Sequence, residues 1–156
     1  MDRVVILRYG EIHLKGKNRA FFENLLKRNI LEKLHGVGCR TEFAYGRYVV
    51  SDYDPSDEAD IVAKLRTVFG LFSLSRALRT TADTDDIAEA AAAICPKTGK
   101  FRITASRADK TLPYTSVMLA TEIGGRMLER YSALEVDLHS PDAIVYIDVR
   151  DKNTAY

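Results

Sequence analysis

Two stretches of the chain set cations at a strand-to-helix junction, an arrangement that binds anions through free backbone N–H groups and side-chain charge. In the first, Gly10-Glu-Ile-His-Leu-Lys-Gly-Lys-Asn-Arg19, the residues Lys15, Lys17 and Arg19 gather around the expected start of a helix. The outline is that of a phosphate-binding P-loop, but five residues rather than four separate Gly10 from Gly16, and Asn18 stands where a Ser/Thr hydroxyl should reach magnesium. Nucleotide binding is therefore not expected there; an anion-facing patch and a solvated basic loop both remain open. Glu11 reads as an organiser of Lys15 or Arg19 rather than as a catalyst.

The second stretch, Phe101–Ser116, puts Arg102, Arg107 and Lys110 in a strand and its exit loop, then aims another helix start outward. Pro113 stiffens the approach, and Ser116 or Thr115 can cap the helix. Cations beside fixed donors suit a phosphodiester backbone, which needs these more than base-edge recognition. Tyr114 can either stack on an unpaired base or pack at the loop edge. Elsewhere the chemistry is sparse. His13, His35 and His139 are scattered, Cys39 and Cys95 belong to no ligand-spaced cluster, and no nucleophile elbow or paired carboxylates emerge, so neither a metal site nor a catalytic group is expected.

The elements that must position these residues follow from local signals. Val4-Val5-Ile6-Leu7 is a buried strand; Asn18 precedes a helix with the stripe Phe22, Leu25, Leu26, Ile30 and Leu34; Arg40–Tyr45 and Arg47–Asp52 flank Gly46 as a hairpin. Asp54 caps a second helix with Pro55 at its first position and Ile61, Leu65, Val68 and Phe69 inward, and Gly70 ends it before a strand from Phe72 to Leu78. This βαββαβ order is that of a ferredoxin-like unit. After the polar connector Thr80–Asp85 come a helix over 86–94, a strand Phe101–Ala105, a helix over 115–131 with Val117, Ala120, Ile123, Met127 and Leu128 inward, strands Val136–Leu138 and Ala143–Val149, and a further strand from Thr154. Gly124-Gly125 inside a helix predicts close approach of another backbone.

The 156 residues carry a net charge of only +1, which does not advertise a nucleic-acid partner. The distribution does more: residues 1–50 hold ten Lys/Arg against five Asp/Glu, 51–60 five acids and no base, and 97–110 five bases and one acid. Acidic helix starts cancel basic loops in the total, so a neutral chain can present basic faces. There is no run of about 18 apolar residues and no signal-like N-terminus, so no membrane partner and a cytoplasmic location are expected.

Two sets of residues also resemble a known family. Arg8-Tyr9-Gly10-Glu11-Ile-x-Leu14-Lys15-Gly16-Lys17-Asn18-Arg19, with Phe22, Asn29-Ile30 and Val68-Phe69-Gly70-Leu71, resembles the opening of tRNA 4-thiouridine synthetases, also called tRNA sulfurtransferases. Phe101-x-Ile103, Arg107-x-x-Lys110-x-Leu112-Pro113-x-x-Ser116, Glu122-Ile123-Gly124 and Val136-Asp137-Leu138-x-x-Pro141-Asp142 resemble a THUMP domain. The resemblance implies an α+β chain: a ferredoxin-like βαββαβ domain over 1–79, then an α/β THUMP domain over 80–156, its last strand expected to be truncated. It implies tRNA as partner, chiefly the acceptor stem and CCA end, held by Arg102, Arg107, Lys110 and Ser116 with Lys15, Lys17 and Arg19 in support. Uridine thiolation would fall to a separate catalytic domain using ATP and magnesium. Its Ser-Gly-Gly-x-Asp-Ser loop has no counterpart here, so the chain alone is expected to be inactive and to hold no cofactor. The family's dimers make a homodimer compatible with the resemblance, and a link to thiamine synthesis is implied for some members. The alternatives are the RNA-binding module of another THUMP-bearing tRNA-modifying enzyme, or a ferredoxin-like module for proteins or small ligands.

Overall fold

The computed structural model describes residues 1–10, 16 and 18–156, and the chain divides into two compact units, Asp2–Ala77 and Leu78–Tyr156, with Met1 counted in the second. Lys15, Lys17, Glu11 and His13 lie outside the described residues.

The first unit runs β1 (Asp2–Tyr9), α1 (Arg19–Lys33), β2 (Arg40–Ala44), β3 (Arg47–Ser51), α2 (Glu58–Leu65) and β4 (Leu71–Arg79), with sheet order β2-β3-β1-β4. This is the ferredoxin-like arrangement, and of its two inner strands β1 has the unbroken apolar run: Val4 to Leu7 are all buried. β1 and β3 are antiparallel, with Val5 opposite Val50 and Leu7 opposite Tyr48. β2 and β3 close a two-residue hairpin in which Tyr45 and Gly46 both have positive φ (54° and 76°), the backbone twist that a tight hairpin demands. Leu26 and Ile30 of α1 and Ile61, Val62 and Leu65 of α2 pack with Val5, Leu7 and Val50 into one core. Each such fully buried aliphatic side chain stabilises the fold by roughly 1.5–3 kcal/mol.

Local details depart from expectation at identifiable points. Asn18 occupies the cap position of α1 but makes no side-chain cap bond. Asp54 does cap, accepting from Ser56 N–H, although a 3-10 turn at Pro55–Asp57 precedes α2. α2 ends at Leu65, where Thr67 Oγ1 donates to Lys64 O (2.7 Å), so Val68 and Phe69 fall beyond the helix; Val68 tucks inward while Phe69 is 95% exposed. Phe72 on β4 is also exposed.

The second unit runs α3 (Thr84–Ile94), β5 (Thr98–Arg107), α4 (Ser116–Arg130), β6 (Ala133–Val136), β7 (Ala143–Asp151) and β8 (Thr154–Ala155), with sheet order β6-β5-β7-β8. β5 pairs in parallel with both neighbours, Phe101 lying opposite Val136 and Ala143. β8 is antiparallel to β7, and Thr80 and Ala155 exchange backbone hydrogen bonds on its other side (2.9 and 2.8 Å). Ile87, Ala88 and Ala91 of α3, Leu119, Ile123 and Met127 of α4, and Phe101, Val145, Ile147 and Val149 of the sheet form the core. Asp83 caps α3 by accepting from Asp85 and Asp86 N–H, starting it two residues before expectation. The inward stripe of α4 is Leu119-Ile123-Gly124-Met127; Val117 and Leu128, expected inside, are exposed. The close backbone approach expected at Gly124-Gly125 is not made: a Cβ at Gly124 would meet only the Ile103 side chain, at an ordinary 3.8 Å from Cγ1, and Gly125 faces open space. β6 ends at Val136, where the sequence suggests it begins, because its pairing starts at Thr98. No helix is long and apolar enough to cross a membrane among the described residues.

Candidate nucleic-acid interface

β5 is the inner strand of a locally parallel sheet, and chains leaving the carboxyl ends of such strands build binding sites. Its exit loop is fixed from several sides. Ala108 N–H donates to Val149 O (2.8 Å), and Asp109 Oδ1 accepts from Thr111 N–H (2.8 Å) and Thr111 Oγ1 (2.7 Å), bonds that hold its carboxyl below the ordinary range. Leu112 packs against the core. Tyr114 also packs there and donates to Ala82 O (2.7 Å); burial and the charge of Asp83 push its hydroxyl pKa up. Packing, not stacking, is thus the role of Tyr114.

Arg107 turns back into this loop, donating from one guanidinium nitrogen to Lys110 O (3.2 Å) and Leu112 O (3.5 Å). Its partners are carbonyls, so its charge is not cancelled. Lys110 is exposed and forms no ion pair among the described residues. Thr115 rather than Ser116 is the cap, accepting from Met118 N–H (3.1 Å). Ser116 opens the helix half-buried, and by the geometry of a helix start its N–H and that of Val117 have no partner within the helix. Arg107 and Lys110 share the loop that leads into α4 at Ser116: two cations with no carboxylate partner among the described residues, followed by a helix start with free N–H groups.

Arg102 is not part of that loop. Phe101 points into the core, so by strand alternation Arg102 lies on the opposite face of the sheet, where it donates to Leu138 O (2.8 Å) and its Nε is buried without a partner. The first junction is described only at its helical end. Arg19 Nε donates to Glu23 Oε1 (2.9 Å), Tyr9 OH donates to the same oxygen (3.2 Å), and the carboxylate raises the Arg19 pKa. Glu23, one helical turn on, thus organises Arg19, and the i,i+4 spacing is the signal for it; Glu11 lies outside the described residues. Two arginines of α4 tie it to α3, Arg126 to Asp85 (2.6 Å) and Arg130 to Glu89 (2.7 Å), and Arg126 also pairs with Glu122 one turn back in α4 (2.6 Å). Among the described residues no group of three His/Cys/Asp/Glu could hold a metal ion, and Cys39 and Cys95 are free thiols whose pKa burial raises.

Comparison with known proteins agrees with this division. Residues 4–75 match the ThiI ferredoxin-like domain family and residues 81–155 the THUMP domain family. A probable tRNA sulfurtransferase of Alkaliphilus oremlandii is 36% identical over 159 residues, covering 97% of this chain and 41% of the relative. Another, of Anoxybacillus flavithermus, is 40% identical over 155 residues, covering 96% and 39%. The fold superposes on the crystal structure of a 4-thiouridine synthetase–RNA complex with bound ATP with a TM-score of 0.83 at 28% identity, over 99% of this chain and 40% of that one. The chain therefore spans about two fifths of the length of the curated relatives it matches. Its two units match the ThiI ferredoxin-like and THUMP domain families in turn, and along its whole length it resembles the N-terminal part of tRNA sulfurtransferases.

Proposed function

We propose that this chain is the tRNA-binding portion of a cytoplasmic tRNA 4-thiouridine synthetase, holding the acceptor stem and CCA end so that a catalytic domain outside these two can thiolate a uridine. ATP and magnesium belong, in this reading, to that catalytic domain. The observation that carries it is the match along the whole chain to tRNA sulfurtransferases and to a solved synthetase crystallised with RNA. The ThiI character of residues 4–75 favours this family over another THUMP-bearing enzyme. Physically, Arg107, Lys110 and the start of α4 supply charge and fixed donors, which position a phosphate backbone without reading its bases. Lys15 and Lys17 are proposed as a supporting patch; the contribution of Arg19 is limited by Glu23.

The test is a titration of an acceptor-stem RNA hairpin ending in CCA into the full chain at several salt concentrations. Binding should weaken linearly in log affinity against log salt, as counterion release requires. Failure to bind at low salt, or binding indifferent to salt, would overturn the reading.

A further inference from the structure

The loop between β5 and α4 carries Arg107 at its entrance, Lys110 at its turn and the free N–H groups of α4 at its exit, so its shape decides where all three lie. Most of what shapes it is local. Arg107 bonds to Lys110 O and Leu112 O, Asp109 accepts both donors of Thr111, and Thr115 caps the helix that follows, each bond made within five residues of chain. Such bonds fold a loop on itself without fixing it to the domain. At the entrance the sheet does that, through Ala108 N–H on Val149 O. At the exit Leu112 and the Tyr114 ring pack on the core, and the Tyr114 hydroxyl donates to Ala82 O (2.7 Å), a partner 32 residues away in sequence.

That acceptor is itself held. Ala82 is buried and lies just before α3. On one side of it Thr80 exchanges backbone bonds with Ala155 of β8; on the other Asp83 caps α3, and its N–H donates to Thr81 Oγ1, which donates in turn to Asp86. The carbonyl therefore belongs to a segment stitched to both the sheet and a helix. Tyr114 also stands where an anchor has leverage: two residues after Leu112, whose carbonyl holds Arg107, and one before Thr115, the cap of α4. Pro113 between Leu112 and Tyr114 fixes its own φ, so a displaced ring carries its neighbours with it.

We propose that Tyr114 is a positioning residue for RNA: through Ala82 O it holds the exit loop in the form that presents Arg107, Lys110 and the start of α4 to a phosphate backbone. The proposal rests on the tRNA-binding reading above and adds the device that keeps the site formed before RNA arrives. Tyr114 itself touches no RNA. A site formed in advance binds with its intrinsic affinity, whereas one formed in a fraction of the molecules loses affinity by that fraction. The loss falls on the association rate, because the contacts in the bound state are the same.

The test is stopped-flow binding of a labelled acceptor-stem hairpin to the full chain. Tyr114→Phe deletes the bond and keeps the ring. Its association rate should fall by about two- to fivefold, the upper figure being what one net hydrogen bond is worth, while its dissociation rate and salt slope stay those of wild type. In the free variant, hydrogen exchange at Thr111 and Leu112 should quicken, with Ile123 and Met127 in α4 unchanged. A raised dissociation rate with unchanged association would show that the hydroxyl contacts RNA, and wild-type rates throughout would show that it only satisfies a carbonyl. Either result overturns the proposal and leaves the tRNA-binding reading standing. Absence of binding by wild-type protein would overturn both.

Discussion

The chain contains two strand-to-helix junctions rich in Lys and Arg, and their described parts treat cations in opposite ways. At the start of α1, Arg19 is held by Glu23, and Asn18 leaves the helix without a side-chain cap. At the start of α4, Arg107 is held by two carbonyls, Lys110 is unpaired among the described residues, and Thr115 caps. A carbonyl fixes a guanidinium without cancelling it, whereas a carboxylate does both. What makes a basic loop available to a polyanion is therefore the type of partner its cations have, more than their number.

The largest effect is expected from removing the uncancelled pair. Arg107→Ala with Lys110→Ala should weaken acceptor-stem binding about tenfold or more at low salt and flatten the salt slope by roughly 1.5, as two lost phosphate contacts require. An unchanged slope would erase the distinction between the two junctions. Next, Thr115→Ala should cost about 1 kcal/mol of stability by loss of the cap. That lowers the melting temperature of a domain of this size by roughly 4–8 °C, readable by calorimetry, and loosens RNA binding a few-fold. Asn18→Ala should barely move the melting temperature, since that side chain makes no cap bond.

Smaller, but more diagnostic, is Glu23→Gln. It uncancels Arg19, so low-salt RNA affinity should rise about twofold rather than fall; Arg19→Ala alone should stay within about twofold of wild type. The smallest effect is titration of Asp137, whose carboxyl is lowered from 3.8 to about 2 by bonds from the Ser140 and His139 backbone and then from Lys100. Because its folded pKa is depressed, its contribution is present above about pH 4 and is lost as pH falls through about 2. The amide resonances of His139 and Ser140 should titrate near pH 2; a midpoint near 4 would show that the turn orienting Arg102 is loose.

The βαββαβ order is legible in sequence because each of its elements carries a local signal: the apolar run of β1, the stripe of α1, the Asp54 cap, the Gly46 hairpin. What is not legible depends on distant partners. Phe69 continues the apolar period of α2, yet a turn at Lys64–Thr67 ends the helix first. Val117 and Leu119 are equally apolar, and which of them faces inward is decided by how α4 packs against α3 and the sheet. The end of β6 follows from parallel pairing with Thr98–Phe101, contacts made across more than thirty residues. At the candidate site, the Arg107-x-x-Lys110 loop and the outward helix start are readable, and alternation with Phe101 already puts Arg102 on another face. The capture of Arg107 by loop carbonyls, which keeps its charge available, is tertiary and has no sequence signature.

The central claim is that the exit loop of β5 and the start of α4 contact the RNA backbone. The most direct measurement is backbone amide perturbation by NMR on the isotopically labelled chain as an acceptor-stem hairpin is added at low salt. The expected result is that the largest shifts fall on residues 107–118, including the Ser116 and Val117 amides, and disappear as salt is raised. Shifts absent from 107–118, or concentrated on α1 around Arg19, would contradict it.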